Sequence, residues 1–488
     1  MSYAEPSASL EKDISRKIIL LEANEIPSRV LDFYVTQNPE SRLAEILPVC
    51  RRYETVAADT CPLSPWITWP TIHRGVNNDT HNVLHFGQDL READAEYPPI
   101  WQILMEAGIR TGVFGPMHSS PLPANAGRFD FFVPDTFAHT PECHPAELTA
   151  FQDFNLSMAR QSPRNVSRGI DFKTLASFLL RAPGLGLRPS TVFSLLGQLV
   201  DERRNPWKST RRRTYQPVLA FDLFIEQLRE KKPEFSNFFT NHVASAMHRY
   251  WAALFPEDYD DLELDEQWQQ RYKGEIDFAM NWTDRFVDRL VRFANKNPEY
   301  LLVVASSMGQ CASSGKRIDT QLYLRDPEAF LERAGISVNQ WERRPAMDPT
   351  VSLLVSPDQA RGFEQFLHSM TIQGQPVKFE TREEGFFDLI FGQTDIDVSR
   401  DKLLIGGQET SYSAVGLELT QVEDEAGSTG YHIPEGVLFV YDPKDLTPKP
   451  LGGTISTIDV APALMTHFGV EVPKYMRDSG TLKFSAEI

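Results

Sequence analysis

Ile18-Ile-Leu-Leu-Glu-Ala-Asn-Glu25 is the stretch on which the fold turns. Four consecutive apolar residues run directly into a carboxylate, an amide and a second carboxylate, with Pro27 just beyond. That is the form of a strand buried on both faces that delivers polar side chains at its C-terminal end. A carboxylate or amide in that position suits a metal ion or a substrate, while Asn24 read alone also suits a helix or turn cap. Leu301-Leu-Val-Val-Ala305, between Pro298 and Ser306-Ser-Met-Gly309, repeats the pattern. Between them, Ile100 to Gly108 reads as a helix with a glycine stop, and Thr111-Gly-Val-Phe-Gly115 as a strand and turn. Gly274 to Ala294 carries Phe278, Trp282, Phe286 and Leu290 at helical spacing and leads into the Leu301 strand. Helix and strand alternating in this way predict an α/β fold with ligands at the C-terminal edge of the sheet.

Composition narrows the function. The 488 residues include 49 basic and 67 acidic side chains, a formal charge of -18, which argues against a chain that wraps a nucleic acid polymer. With 41% hydrophobic residues the chain is too apolar to be disordered and long enough for one large or two ordinary domains. Cys50, Cys61, Cys143 and Cys311 are scattered without a CxxC pair, as expected of free thiols in a reducing compartment. Met1 to Lys17 is polar and the apolar run after it is too short for a signal core or a membrane span. A cytoplasmic protein is therefore expected.

Two stretches interrupt the α/β pattern. From about Arg160 to Thr214 the chain turns basic and carries apolar segments at Leu175 to Leu180 and Val192 to Leu196. Such a segment suits a cap over the site, a patch for an anionic substrate or a helix in peripheral contact with lipid; a helical insertion solvated on its basic face is the plainer alternative. From about Ala312 to Glu425 a second polar segment has strand-like pieces at Val351 to Val355 and Phe387 to Ile390. The predicted organisation is a core over 15–158, a basic helical insertion or cap over 159–234, core again over 235–311, an α+β insertion or subdomain over 312–425, and the last part of the core over 426–488.

Polar residues that suit chemistry fall at likely strand ends and helix starts. Ser64-Pro65 has the signature of a helix N-terminus, where free N–H groups favour an anion beside the hydroxyl; Thr68 is the rival hydroxyl. His242 and His248 lie in Phe238-Phe-Thr-Asn-His-Val-Ala-Ser-Ala-Met-His-Arg-Tyr-Trp251, and His432 in the loop Ser428-Thr-Gly-Tyr-His-Ile-Pro-Glu-Gly436. Three imidazoles suit a zinc-like or manganese-like site.

In this order the segments resemble the alkaline phosphatase superfamily, especially its type I phosphodiesterase and nucleotide pyrophosphatase branch. The resemblance covers roughly Ile18 to Asn155, Phe235 to Gln310 and Ser428 to Gly480. It implies an alkaline-phosphatase-like, mostly parallel sheet with helices on both faces plus helical and α+β insertions. Asn24 stands where the family has a metal-binding aspartate, and counting back from Arg74-Gly75 and His81-Asn82 puts the nucleophile at Ser64, with Thr68 as rival. His248-Arg-Tyr-Trp251 is kept, but the aspartate four residues earlier falls at Ala244, leaving Asn241 or His242 to substitute. The family's Ser-Asp-His-Gly is matched by Ser306-Ser307-Met308-Gly309, which lacks both ligands. Gly430-Tyr-His432-Ile-Pro-Glu-Gly436 is kept, and Asp459-Val-Ala-Pro462 echoes a structural helix start.

The resemblance thus implies one divalent ion, zinc or manganese, on His248 and His432 with His242 available, in place of the usual two. It implies a hydrolase or transferase acting on a small anionic phosphate ester or diester, with Ser64 or Thr68 attacking and Asn24 and Ser307 at the site. The rivals are metal-free transfer or lyase chemistry using Asn24, Ser307, Gln310 and the histidines, and a binding protein that keeps the fold without catalysis.

Overall fold

The computed structural model describes residues 16–161, 184, 186–344, 346, 350–382, 385–477 and 479–484. Its central sheet has eight strands, numbered here in chain order: β1 (Lys17–Ala23), β2 (Arg51–Val56), β3 (Thr111–Phe114), β4 (Phe131–Val133), β5 (Phe235–Thr240), β6 (Tyr300–Ala305), β7 (Glu435–Tyr441) and β8 (Leu451–Ser456). They lie in the order β8-β2-β7-β6-β1-β5-β3-β4. Neighbours are parallel except that β7 runs antiparallel to both β2 and β6. The fold is α/β, with a mostly parallel sheet carrying helices on both faces and two kinds of insertion.

The opening strand is the middle of this sheet. Ile18, Ile19, Leu20 and Leu21 are each at most 1% exposed. Ile19 and Leu21 enter one hydrophobic cluster, Ile18 and Leu20 another on the opposite face. A continuous apolar run is required because both faces are covered, and each such side chain contributes roughly 1.5–3 kcal/mol when removed from water. The Glu275–Lys296 helix buries Ile276, Ala279, Phe286 and Leu290 in the first cluster. The Pro65–Arg74 and Val460–His467 helices cover the other face.

In-register pairing places Glu22 beside Ala305 and Ala23 beside Thr240. Three adjacent parallel strands therefore end together, and Asn24-Glu25, Asn241-His242 and Ser306-Ser307 leave the sheet side by side. The Gly309–Ala312 strand pairs antiparallel with Gly430–Ile433, setting His432 opposite Gln310 just beyond this edge.

Within the basic stretch the described residues form the Pro189–Arg204 and Arg212–Lys231 helices. The second packs its apolar side into the main core, whereas Phe193, Leu196 and Val200 of the first are exposed. The Leu175 to Leu180 segment lies outside the described residues. Residues after 312 build antiparallel sheets, including one ordered Lys378–Thr381, Phe386–Ile390, Thr350–Val355, Trp341–Arg344. They surround a separate hydrophobic cluster containing Leu353, Phe363, Phe387 and Phe391. All four cysteines are free. No helix among the described residues is long and apolar enough to cross a membrane.

Candidate metal centre

Glu25, His248 and His432 converge beyond the C-terminal end of β1, their potential ligand atoms all within 4.8 Å of one another. Glu25 Oε2 is 3.1 Å from His248 Nε2 and 3.5 Å from His432 Nε2. The carboxylate is almost wholly buried, and its backbone is left-handed at φ 61°. For a residue with a Cβ that conformation costs about 1–2 kcal/mol, and strain of this kind collects at functional sites. Burial raises the carboxyl pKa, but the charges and hydrogen bonds of His248 and His432 outweigh it and hold the group well below the usual carboxylate range.

Each imidazole is oriented by main chain. His248 Nδ1 donates to Gly430 O at 2.8 Å, and His432 Nδ1 donates to Leu63 O at 2.7 Å. A carbonyl can only accept, so both Nδ1 atoms carry a proton and both Nε2 atoms face Glu25. Metal-binding histidines are anchored in this way, through the nitrogen that does not ligate. Gly430 makes the geometry available: a Cβ there would stand 2.6 Å from Met247 O and 2.8 Å from Gln310 Oε1. Two imidazole nitrogens and a carboxylate oxygen, pre-oriented and anchored, fit one divalent ion with a position left for water or substrate.

The other predicted site residues have different surroundings. Asn24 Oδ1 accepts from Trp69 Nε1 at 2.7 Å, while its amide donates to Glu25 Oε1 at 2.7 Å and Asn241 Oδ1 at 2.6 Å. It orients Glu25 and does not face a ligand. Thr68 and Ser307 are fully buried and hydrogen-bonded to each other at 2.8 Å. His242 does not join the cluster: its Nδ1 meets Thr240 Oγ1 at 2.6 Å, and its Nε2 lies 3.1 Å from both Ala279 O and Thr283 Oγ1. Burial brings its pKa down to about 4, so the ring is a neutral core group. Asn24, Thr68, Ser307 and His242 thus hydrogen-bond within the fold and are not members of the Glu25–His248–His432 group.

Ser64 differs. It occupies the residue before the Pro65–Arg74 helix, is 7% exposed, and its Oγ makes no capping bond and no hydrogen bond to a described residue. Leu63, the residue before it, holds His432, and Pro65 and Trp66 after it line the same cavity as Glu25, His248 and His432.

Glu25 was present in the opening stretch but not singled out as a ligand. Gln310 donates to Glu25 Oε2 and, at 3.2 Å, to Ala244 O. One amide thus ties Glu25, just beyond the end of β1, to the main chain of the helix that carries His248. Two further buried polar groupings lie outside the cluster. Glu22 Oε1 accepts from Asn237 Nδ2 at 2.8 Å and meets His73 Nε2 at 3.1 Å. Separately, Thr71 Oγ1 links His81 Nε2 at 3.0 Å to Asp59 Oδ1 at 2.6 Å.

No family model and no curated protein matches the chain. Among solved structures, murine ectonucleotide pyrophosphatase/phosphodiesterase 5 is 10% identical, with a TM-score of 0.41 over 95% of this chain and 98% of that one. Phosphonoacetate hydrolase from Sinorhizobium meliloti 1021, in complex with phosphonoformate, is 13% identical with a TM-score of 0.41 over 92% and 94%. A mutant of TAB5 alkaline phosphatase is 10% identical with a TM-score of 0.37 over 94% and 100%. The chain thus resembles alkaline phosphatase superfamily members at low identity, and the chemistry of its site rests on its own side chains.

Proposed function

We propose that the protein is a metal-assisted hydrolase or transferase of a small phosphate ester or diester. The observation that carries this reading is the Glu25–His248–His432 cluster joined through Leu63 to an unengaged hydroxyl at a helix N-terminus, Ser64. A divalent ion bound by the three residues, zinc or manganese from the mixed nitrogen and oxygen donors, would polarise a phosphoryl oxygen. The rest is work for the chain itself. Ser64 Oγ attacks phosphorus, the bond to the leaving oxygen breaks, and the serine proton departs with the released alcohol. Arg249, beside His248 in the cavity wall, places positive charge near the phosphoryl group.

Metal content by inductively coupled plasma mass spectrometry, beside turnover of bis(4-nitrophenyl) phosphate and 4-nitrophenyl phosphate, tests the reading. About one ion per chain, lost in His248→Ala and His432→Ala, with turnover abolished in Ser64→Ala, is expected. Full activity in Ser64→Ala would overturn the mechanism.

A metal-free reading draws on the direct 3.1 Å approach of Glu25 to His248, which is also the form of an acid–base pair. Activity that survives exhaustive chelation, with no ion retained, would select it.

A further inference from the structure

The cavity over the Glu25–His248–His432 cluster, of ≈ 630 Å³, has an unusual charge for this chain. Arg213, Arg249, Arg343 and Arg344 line it, against Glu25 as its one acidic lining residue, although the sequence carries a net charge of -18. Two of these arginines stand close to the cluster's helix. Arg249 directly follows His248 and donates from Nη1 to Asp424 at 2.7 Å, while its buried Nη2 has no hydrogen bond of ordinary geometry to a described residue. Arg213 is brought down to about 10 by burial and by repulsion from Arg249. The other two come from a separate part of the chain. Arg343 and Arg344 lie on the edge strand Trp341–Arg344 of the inserted sheet. Arg343 is exposed and its side chain makes no hydrogen bond or ion pair with a described residue; Arg344 reaches Glu342 only at 3.6 Å, and its buried Nε makes no hydrogen bond to a described residue.

The remaining wall mixes polar side chains such as Asn155, Gln216, Asn241 and Ser245 with aromatic ones. Phe114, Phe137, Phe238 and Phe239 contribute to it, and the volume is that of a site for a medium-sized organic molecule. Guanidinium groups sharing a cavity with several aromatic side chains favour a ligand with separated anionic groups on a flat, largely apolar body. A lone phosphoryl group at the cluster would leave the inserted pair unmatched.

We propose that the substrate bears two anions, a phosphoryl group at the Glu25–His248–His432 end and a carboxylate or second phosphate on Arg343 and Arg344, joined by an aromatic body. The phosphoryl half rests on the function proposed above; the second anion site makes the 312–425 insertion a specificity element.

The test uses non-hydrolysable probes on the full chain, by isothermal titration calorimetry at low salt. Phenylphosphonate and biphenyl-4-phosphonate are compared with 4-carboxyphenylphosphonate and 4'-carboxybiphenyl-4-phosphonate, two spacer lengths with and without the distal anion. At least one carboxylated probe binds about tenfold more tightly than its plain counterpart, the gain expected of a charge-assisted hydrogen-bonded pair. That advantage disappears in Arg343→Ala/Arg344→Ala and shrinks in Arg343→Gln, a single change at an exposed residue that keeps the fold if the double variant does not. Equal binding of plain and carboxylated probes at both lengths, or an advantage that survives the variants, overturns the proposal. The phosphoester reading fails separately: plain phosphonates that ignore chelation and His432→Ala would sink it while the carboxylate-dependent difference still reports the second site.

Discussion

Glu25 Oε2 lies 3.1 Å from His248 Nε2, and neither group is free to turn away. Asn24 and Gln310 hold the carboxylate, and Gly430 O holds the imidazole. Glu25→Gln replaces an anionic oxygen ligand by a neutral amide without changing size. Zinc affinity measured by competition with a chromogenic chelator is expected to fall at least about 100-fold, the upper range seen even for groups that only support a ligand. Unchanged affinity would remove Glu25 from the ligand set.

Asn24→Asp tests whether Asn24 is a positioning residue. The amide that donates to both Glu25 and Asn241 becomes a carboxylate among oxygens 2.6–2.7 Å away. An unmatched charge buried there is expected to cost about 3–5 kcal/mol. Urea unfolding in the presence of chelator reads that loss, and added zinc or manganese should recover part of it. A variant as stable as wild type in chelator would show that the amide donors are dispensable.

Gly430→Ala bears on the anchor of His248. The added methyl meets Met247 O at 2.6 Å, so the strand must move away from the helix. Overpacking of this kind costs about 1–3 kcal/mol, and lengthening the bond from His248 Nδ1 to Gly430 O should weaken metal binding by about 10–100-fold. Calorimetric unfolding and metal titration of the same preparation check both.

Asp59 gives a pH dependence independent of the cluster. Burial pushes its carboxyl up to about 6 from 3.8, against the hydrogen bonds from Thr71 and Asn78 and with help from Asp79. Between those values the folded protein keeps a proton that the unfolded chain has released. The stabilisation tied to it is complete below the unfolded value and lost as pH rises through about 6. Asp59→Asn can still accept from Thr71 and from the Asn78 N–H without ionising. Relative to wild type it should gain on the order of 2 kcal/mol in unfolding free energy between pH 4 and pH 7. A constant difference across that range would contradict the assignment.

The central sheet was legible because its strands have no choice of face. Ile18 to Leu21 and Leu301 to Ala305 are apolar at every position, which only a strand covered on both sides tolerates, and they pair as neighbours. The helix start at Ser64-Pro65 was legible for a similar local reason, proline directly after a hydroxyl residue. The ligand set was harder to read. His242 and His248 are equal as letters and both line the cavity, yet His242 is held by Thr240, Thr283 and Ala279 while His248 places its Nε2 beside Glu25. Thr68 and Ser307 are distant in sequence, and only their packing occupies each with the other. Glu25 joins the candidate cluster through a left-handed backbone, which its neighbours in sequence do not announce.

The order in which the strands occur along the chain bears on how the protein is made. β1 leaves the ribosome first, yet it is a central strand whose partners β5 and β6 begin more than 200 residues later, and His432 follows Glu25 by about 400 residues. At roughly 5–20 residues per second, translation leaves the Glu25 carboxylate without His432 for some 20–80 s. A chain interrupted before His432 would lack β7 and β8 and leave β2 without the strand that joins it to β6, so the sheet and the Glu25–His248–His432 cluster are both completed only by the last stretch of the chain.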